Sequence, residues 1–209
     1  MKDLLEVLNS FKKDIDSVIE EVKELKTQDS RIRLSSLKPG DIIKGKEHDY
    51  IVLKQDGDTT QIISKDLMLE NVKFDESSRD YGKSNLRKKI IGKCLPIFES
   101  DFGPDNLIKH TVSLTSVDMQ TEFSSATCKV RPLTFDEARE FNDLLVNKEL
   151  GDWYWTCTPW SAKERGLNYS IAVVSPSGRI FNRNCCDCNS GVRPICILKS
   201  NIFVSKGEK

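Results

Sequence analysis

The sequence predicts an α+β fold: a strand-rich antiparallel body with two helical interruptions, preceded by a separate N-terminal helix. Three observations predict it. In the first thirty residues the apolar positions recur at alternating spacings of four and three, the period of a helical seam. After Arg33 the apolar runs become short and are bounded by Gly, Asp and Pro, as strands joined by tight turns are. Two later stretches combine helical periodicity with N-capping residues.

The N-terminal seam comprises Leu4, Leu8, Phe11, Ile15, Val18, Val22 and Leu25. Leu8, Ile15 and Val22 take heptad position a, and Leu4, Phe11, Val18 and Leu25 take position d. Residues 2–28 contain no Gly or Pro. Leu5, Val7 and Ile19 at e and g widen the stripe beyond a two-stranded seam. Residues 1–33 are therefore expected to form an oligomerising coiled coil, with a parallel trimer favoured; a helix packed on its own domain is the other possibility.

Residues 34–200 form the expected main domain. Leu37-Lys38-Pro39-Gly40-Asp41 is a turn signal. Ile42-Ile43, Tyr50 to Leu53 and Gln61 to Ser64 then read as a meander, its second turn at Asp56-Gly57-Asp58. Residues 81–95 read as a helix with Ser84 or Asn85 at its N-cap. A second helix starts at Thr134, where Glu137 completes a capping box. Strands return at Trp153 to Thr156 and Tyr169 to Val174. The Ser175-Pro176-Ser177-Gly178 turn makes a hairpin with Arg179-Ile180-Phe181, and Val192 to Leu198 is the last strand. Residues 201–209 read as a flexible tail.

Composition narrows the function classes. The 209 residues carry 32 Lys+Arg and 32 Asp+Glu. A zero net charge argues against a nucleic-acid binder working through a global basic field. The basic stretch Arg87-Lys88-Lys89 with Lys93 reads as a solvated helix face. No apolar run approaches a membrane span, and acids interrupt the N-terminus where a signal peptide would be apolar. The expected location is the cytoplasm of the host cell, or a virion after lysis. Seven cysteines, an odd count without an export signal, are expected as reduced thiols.

The ordered motifs over residues 37–198 resemble a domain family of unknown function from Gram-positive bacteria, their prophages and phages. They are Leu37-x-x-Gly40-Asp41-Ile42, Tyr81-x-x-Ser84-Asn85-Leu86-Arg87, Leu133-Thr134-x-x-Glu137, Trp153-x-Trp155-Thr156-x-Thr158-Pro159, Val174-x-x-x-Gly178-x-Ile180 and Gly191-Val192-Arg193-Pro194. The tryptophan motif and the closing Gly-Val-Arg-Pro are also similar to the C-type-lectin-like fold, in the branch of the formylglycine-generating enzyme and of retroelement-diversified proteins. That resemblance implies a twisted antiparallel sheet with two flanking helices and a ligand-facing strand–loop–strand region. By their chemistry Trp153, Trp155, Gly191, Arg193 and Pro194 are structural: two indoles at i, i+2, a close backbone approach and a buried hydrogen-bonding arginine.

Catalytic readings fare poorly. Cys185, Cys186 and Cys188 suggest a thiolate metal site, but only Cys185 and Cys188 have the two-residue spacing of a zinc knuckle. They are weak metal candidates; no cofactor is expected, and buried or loop thiols are the plain reading. His48 and His110, the only histidines, read as surface or loop residues. There is no G-x-S-x-G, Walker loop or G-x-G-x-x-G. The remaining candidate is a surface on loops 158–190: Trp160, Lys163, Arg165, Asn168, Tyr169, Asn182, Arg183, Asn184, Asp187 and Asn189. Aromatic, Arg and Asn side chains on loops suit a protein-binding paratope. The expected function is a non-catalytic, phage- or prophage-encoded binding protein whose coiled coil clusters lectin-like heads for a protein or cell-surface partner. One alternative is an intracellular inhibitor of a host defence protein, another a copper- and thiol-dependent oxidase of the formylglycine-generating type. Nucleic acid is not an expected partner.

Overall fold

A computed structural model describes residues 9–19 and 31–208. Residues 9–19 form helix α1, every residue of which is exposed, Phe11 to 62%, Ile15 to 57% and Val18 to 56%. The seam residues Leu4, Leu8, Val22 and Leu25 lie outside the described residues.

The body is α+β, built on a curled antiparallel sheet with few helices. The expected coiled-coil span is corrected at its end, since Arg31–Arg33 are extended as strand β1, which leads through a 3-10 turn to β2 (Ile42–Lys44), β3 (Asp49–Asp56) and β4 (Thr59–Ser64). These last three are the expected meander. Asp56 faces Thr59 across a two-residue turn, and Gly57 there holds φ +56°, the left-handed region that glycine enters without a Cβ clash. The Tyr50–Leu53 run is apolar throughout because both its faces are covered. Tyr50 and Val52 join one core with Trp155, Phe74 and Phe98; Ile51 and Leu53 join a second with Leu133, Leu145 and Tyr154.

The first helical interruption is longer than the sequence suggests. Helix α2 (Asn85–Lys89) starts at Ser84, whose hydroxyl accepts from the Arg87 N–H at 3.1 Å. It continues through a π-turn (Ile90–Cys94) into α3 (Leu95–Phe102). The Leu95 N–H reaches back five residues to the Ile90 carbonyl, just before Pro96, which has no N–H to give. Arg87 is not simply solvated: its guanidinium donates to the carbonyls of Gly82 and Thr127 at 2.7 and 2.8 Å. Short strands β5 (Leu107–Ile108), β6 (His110–Ser113), β7 (Ser125–Cys128) and β8 (Val130–Arg131) follow.

The second interruption starts at Thr134 with the full capping box, since Thr134 and Glu137 each bond the other's backbone N–H. It is broken at Phe141 into α4 (Phe135–Glu140) and α5 (Asn142–Leu145). Strands β9 (Tyr154–Pro159), β10 (Ser170–Val174) and β11 (Ile180–Asn184) make a separate small sheet in the order β11-β10-β9. The expected hairpin is present, with Val173 facing Phe181 and Val174 facing Ile180. Strand β12 (Ile195–Lys199) returns to the main sheet between β4 and β5.

The expected tail is a correction. Phe203–Lys206 form β13, which lies between β1 and β2 and closes the order β1-β13-β2-β3-β4-β12-β5, with β8 also paired to β12. Val204 is buried, and Arg33 stacks over the Phe203 ring at 5.3 Å. The four residues Phe-Val-Ser-Lys are too few for periodicity to mark them. Among the described residues, no helix is long and apolar enough to cross a membrane.

Candidate functional site

The small sheet is positioned from below by the motif residues. Trp155 is fully buried and its indole N–H donates to the Val72 carbonyl at 2.8 Å; Trp153, half-buried and just before β9, packs on the same core. The Gly191 N–H bonds the Trp153 carbonyl at 2.7 Å, and the Trp155 N–H bonds the Gly191 carbonyl at 3.1 Å. A Cβ on Gly191 would stand 2.6 Å from Leu67 Cδ1 and 2.9 Å from the Leu69 carbonyl, so only glycine fits. Arg193 is fully buried, donates to the carbonyls of Ser64 (2.8 Å) and Leu145 (2.7 Å), and lies over the Tyr154 ring. It thereby ties β4, the end of α5 and β9 together. Pro194 adds its carbonyl to the same junction, accepting the Ser64 N–H at 3.0 Å.

A second buried network sets the position of α4. Arg131 donates to both Glu137 carboxylate oxygens at 2.6 Å, and Gln61 and the Thr134 N–H each donate to Glu137 at 2.8 Å. Burial opposes ionisation of Glu137, but Arg131's hydrogen bonds and charge outweigh it and hold the carboxyl down at about 2. His110 belongs here, not to the surface as its sequence context suggests. Its Nε2 accepts from Arg131 Nε at 2.8 Å and its Nδ1 faces the Ile108 carbonyl at 3.2 Å. Burial, then the Arg131 charge, pushes its pKa down, so it is neutral with both ring nitrogens engaged. No motif marks this role, because the partner Arg131 is distant in sequence.

Above these networks lies an aromatic surface. The Phe135 N–H bonds the Thr158 hydroxyl at 2.9 Å, which docks the start of α4 on β9. Trp160 follows β9 directly, and its ring sits 6.4 Å from both Phe135 and Phe181. Phe181 is 57% exposed, and Arg139 lies over the Phe135 ring at 5.4 Å. A groove of about 620 Å³ runs beside this cluster, with Phe135, Arg139, Thr158 and Met119 in its walls and the Arg131–Glu137 pair at its base. Met119 is 76% exposed at φ +64°.

The expected paratope divides between this surface and its flanks. Lys163, Asn168 and Tyr169 line a cleft of about 270 Å³ with Ser77, Ser78, Arg79, Glu122 and Phe123. The loop carrying them is fixed by carboxylates. Glu122 accepts from Arg79 at 2.7 Å and from the Lys163 N–H at 2.8 Å. Asp118 accepts from Ser161 at 2.6 Å and pairs with Arg165 at 3.3 Å. Hydrogen bonds from the Ser116 and Ser161 hydroxyls hold the Asp118 pKa down. Asn182 lies on β11, and Asn184 and Asn189 are exposed.

Arg183 is turned to a structural task. It lies over Trp153 at 5.3 Å, donates to the Asn189 carbonyl and, at 2.9 Å, to Ser190, and faces Asp152 at 3.5 Å. Asp187 folds back on its own turn, accepting from the Asn184 N–H at 3.2 Å. Phe135, Phe181, Met119 and Arg79 are members the sequence reading misses. Phe181 reads as an ordinary strand residue and Phe135 as the first residue of a helix; nothing local marks Met119 or Arg79.

The cysteines separate by exposure. Cys94, Cys128, Cys157, Cys185 and Cys196 are buried, while Cys186 and Cys188 are exposed. Burial pushes the Cys94 and Cys157 thiols up to about 12 and that of Cys185 to about 11, which makes them poor nucleophiles. Cys157 and Cys196 lie on β9 and β12, in different sheets. Among the described residues, no group of three or more His, Cys, Asp or Glu side chains is placed to hold a metal ion. Comparison with protein-family models, with curated proteins and with solved structures finds no match to this chain.

Proposed function

We propose that this chain is a non-catalytic binding protein. Its lectin-like head presents the Phe135–Trp160–Phe181 surface and the adjoining 163–169 loop to a macromolecular partner, and its N-terminal helix clusters several heads. The observation that carries the reading is the aromatic and arginine cluster on rigid supports, with Phe181 and Arg139 exposed and Phe135 and Trp160 half-buried. Trp, Phe, Met and Arg are the residues enriched at the centres of protein interfaces. Here Phe135, Trp160 and Phe181 stand on a helix start, a strand end and a hairpin, each held by hydrogen bonds. A prearranged surface of this kind loses little side-chain entropy on binding.

Clustering is supported by α1, whose heptad positions Phe11, Ile15 and Val18 are exposed. Linked heads would gain avidity without any new contact in each. The lectin-like reading is supported by the twisted antiparallel sheet, the pairing of the first strand with the last, and the small sheet bearing the loops. A phage or prophage origin rests on the motif resemblance alone. With it come two settings, a virion-associated receptor binder and an intracellular inhibitor of a host protein.

The test is a fourfold surface variant, Trp160→Ala, Arg165→Ala, Tyr169→Ala and Phe181→Ser. Arg183 is kept because its clamp on Trp153 is structural. The variant should keep its melting temperature within a few degrees and lose capture of the partner identified by crosslinking to the parent protein. Undiminished capture would refute the site.

A further inference from the structure

We infer that the outer edge of β11 takes an extended, acidic peptide segment of a partner as an added antiparallel strand. This rests on loops 158–190 being the binding surface, and it names the chemistry of what binds there.

The hydrogen-bond phase of the hairpin decides where each peptide group of β11 points. Ser170 faces Asn184 and Val174 faces Ile180. Bonds close the ladder at both ends: the Ser175 N–H donates to the Arg179 carbonyl at 2.8 Å, and the Cys185 N–H to the Tyr169 carbonyl at 2.6 Å. Bonded and unbonded pairs alternate along an antiparallel ladder. The bonded pairs between those ends are therefore Val173 with Phe181 and Ile171 with Arg183. The N–H and C=O of Ile180, Asn182 and Asn184 point away from β10.

Strand β10 obeys the same phase. Its Ser170 and Ala172 carbonyls face β9, accepting from the Trp160 N–H at 2.9 Å and the Thr156 hydroxyl at 2.7 Å. The outward groups of Asn184 are already used, since its N–H bonds the Asp187 carboxylate and its carbonyl accepts the Asp187 N–H at 3.0 Å. Those of Ile180 and Asn182 have no partner among the described residues. They offer two donors and two acceptors in the spacing of a ladder.

Edge strands are usually guarded by lysine, proline or a bulge. β11 is Ile-Phe-Asn-Arg-Asn, regularly paired over its whole length, and the irregularity of this sheet lies between β10 and β9. Charge specifies the occupant. Arg179 and Arg183 both lie over the Trp153 ring, at 6.0 and 5.3 Å, on either side of the exposed Phe181. Arg179 has no carboxylate partner among the described residues, and Arg183, though bonded to the Asn189 carbonyl and Ser190, meets a single carboxylate, Asp152 at 3.5 Å, so the row keeps a positive charge. A strand whose side chains on that face run carboxylate, apolar, carboxylate, at every second residue, complements that row.

The test pans the full-length protein against a displayed library of short linear peptides. The selected peptides should carry Asp or Glu two residues to either side of an apolar residue, and a synthetic copy should slow amide exchange at Ile180 and Asn182. Asn182→Pro removes one outward N–H and no β10 bond, and it should weaken binding about tenfold, the value of one hydrogen bond. Should that variant not fold, the exchange measurement on the parent decides alone. Peptides lost on Trp160→Ala that leave exchange at Ile180 and Asn182 unchanged would overturn strand addition while leaving the loop surface standing. Failure to enrich any peptide overturns it too, as does concentration-dependent protection of the two amides without peptide, which would give the edge to a second copy of the chain.

Discussion

Replacing Glu137 by Gln isolates the network under the proposed binding surface. Glu137 receives two bonds of 2.6 Å from Arg131, whose side chain is 4% exposed, and its ordinary value of 4.5 is lowered to about 2. That difference corresponds to about 3 kcal/mol tied to the ionised carboxylate. Loss of the charge also leaves Arg131 buried without its counter-ion, a change that typically costs about 3–5 kcal/mol. The variant should therefore lose about 3–5 kcal/mol in urea denaturation at pH 7. The pH dependence has a definite sign. A depressed carboxyl stabilises fully above its unfolded value and loses that effect as pH falls through the folded one. The gap between parent and variant should stay constant above about 4.5 and close as pH falls towards about 2. A variant within about 1 kcal/mol of the parent at pH 7, or a gap indifferent to pH, would refute the reasoning.

Other consequences can be measured alongside. Arg193→Met removes both donors to the Ser64 and Leu145 carbonyls, and should destabilise the fold by about 3 kcal/mol or more in thermal denaturation. Because His110 is held neutral below its ordinary 6.5, His110→Phe should lessen the loss of stability as pH falls below that value, followed by circular dichroism. Deleting residues 201–208 removes β13 from between β1 and β2; cooperative unfolding at a clearly lower temperature is expected, whereas a dispensable tail would leave it unchanged.

Local signals carried the fold further than the site. The meander, the hairpin at Ser175–Gly178 and both helix starts are written in short-range chemistry: Gly57 in its turn, Ser84 and Thr134 as caps, Glu137 closing its box. Elements set by distant partners were harder to read. β13 is a strand because β1 and β2 flank it, and the helix passes Leu95 because a π-turn accommodates Pro96. The site follows the same division. Trp160, Lys163, Asn168 and Tyr169 could be picked out by residue type within one loop. Phe135 and Met119 reach the surface from other segments through contacts that no sequence spacing encodes. Arg183 shows the converse: its residue type suggests a ligand contact, yet its hydrogen bonds close its own turn.

Sedimentation equilibrium on the full chain and on a Phe11→Lys, Ile15→Lys variant tests clustered presentation most directly. Both residues are exposed on α1, so their replacement leaves the head's core untouched. The parent should sediment as a discrete oligomer, a trimer by the breadth of its seam, and the variant as a folded monomer. A monomeric parent, or an oligomer that survives both lysines, would contradict the account.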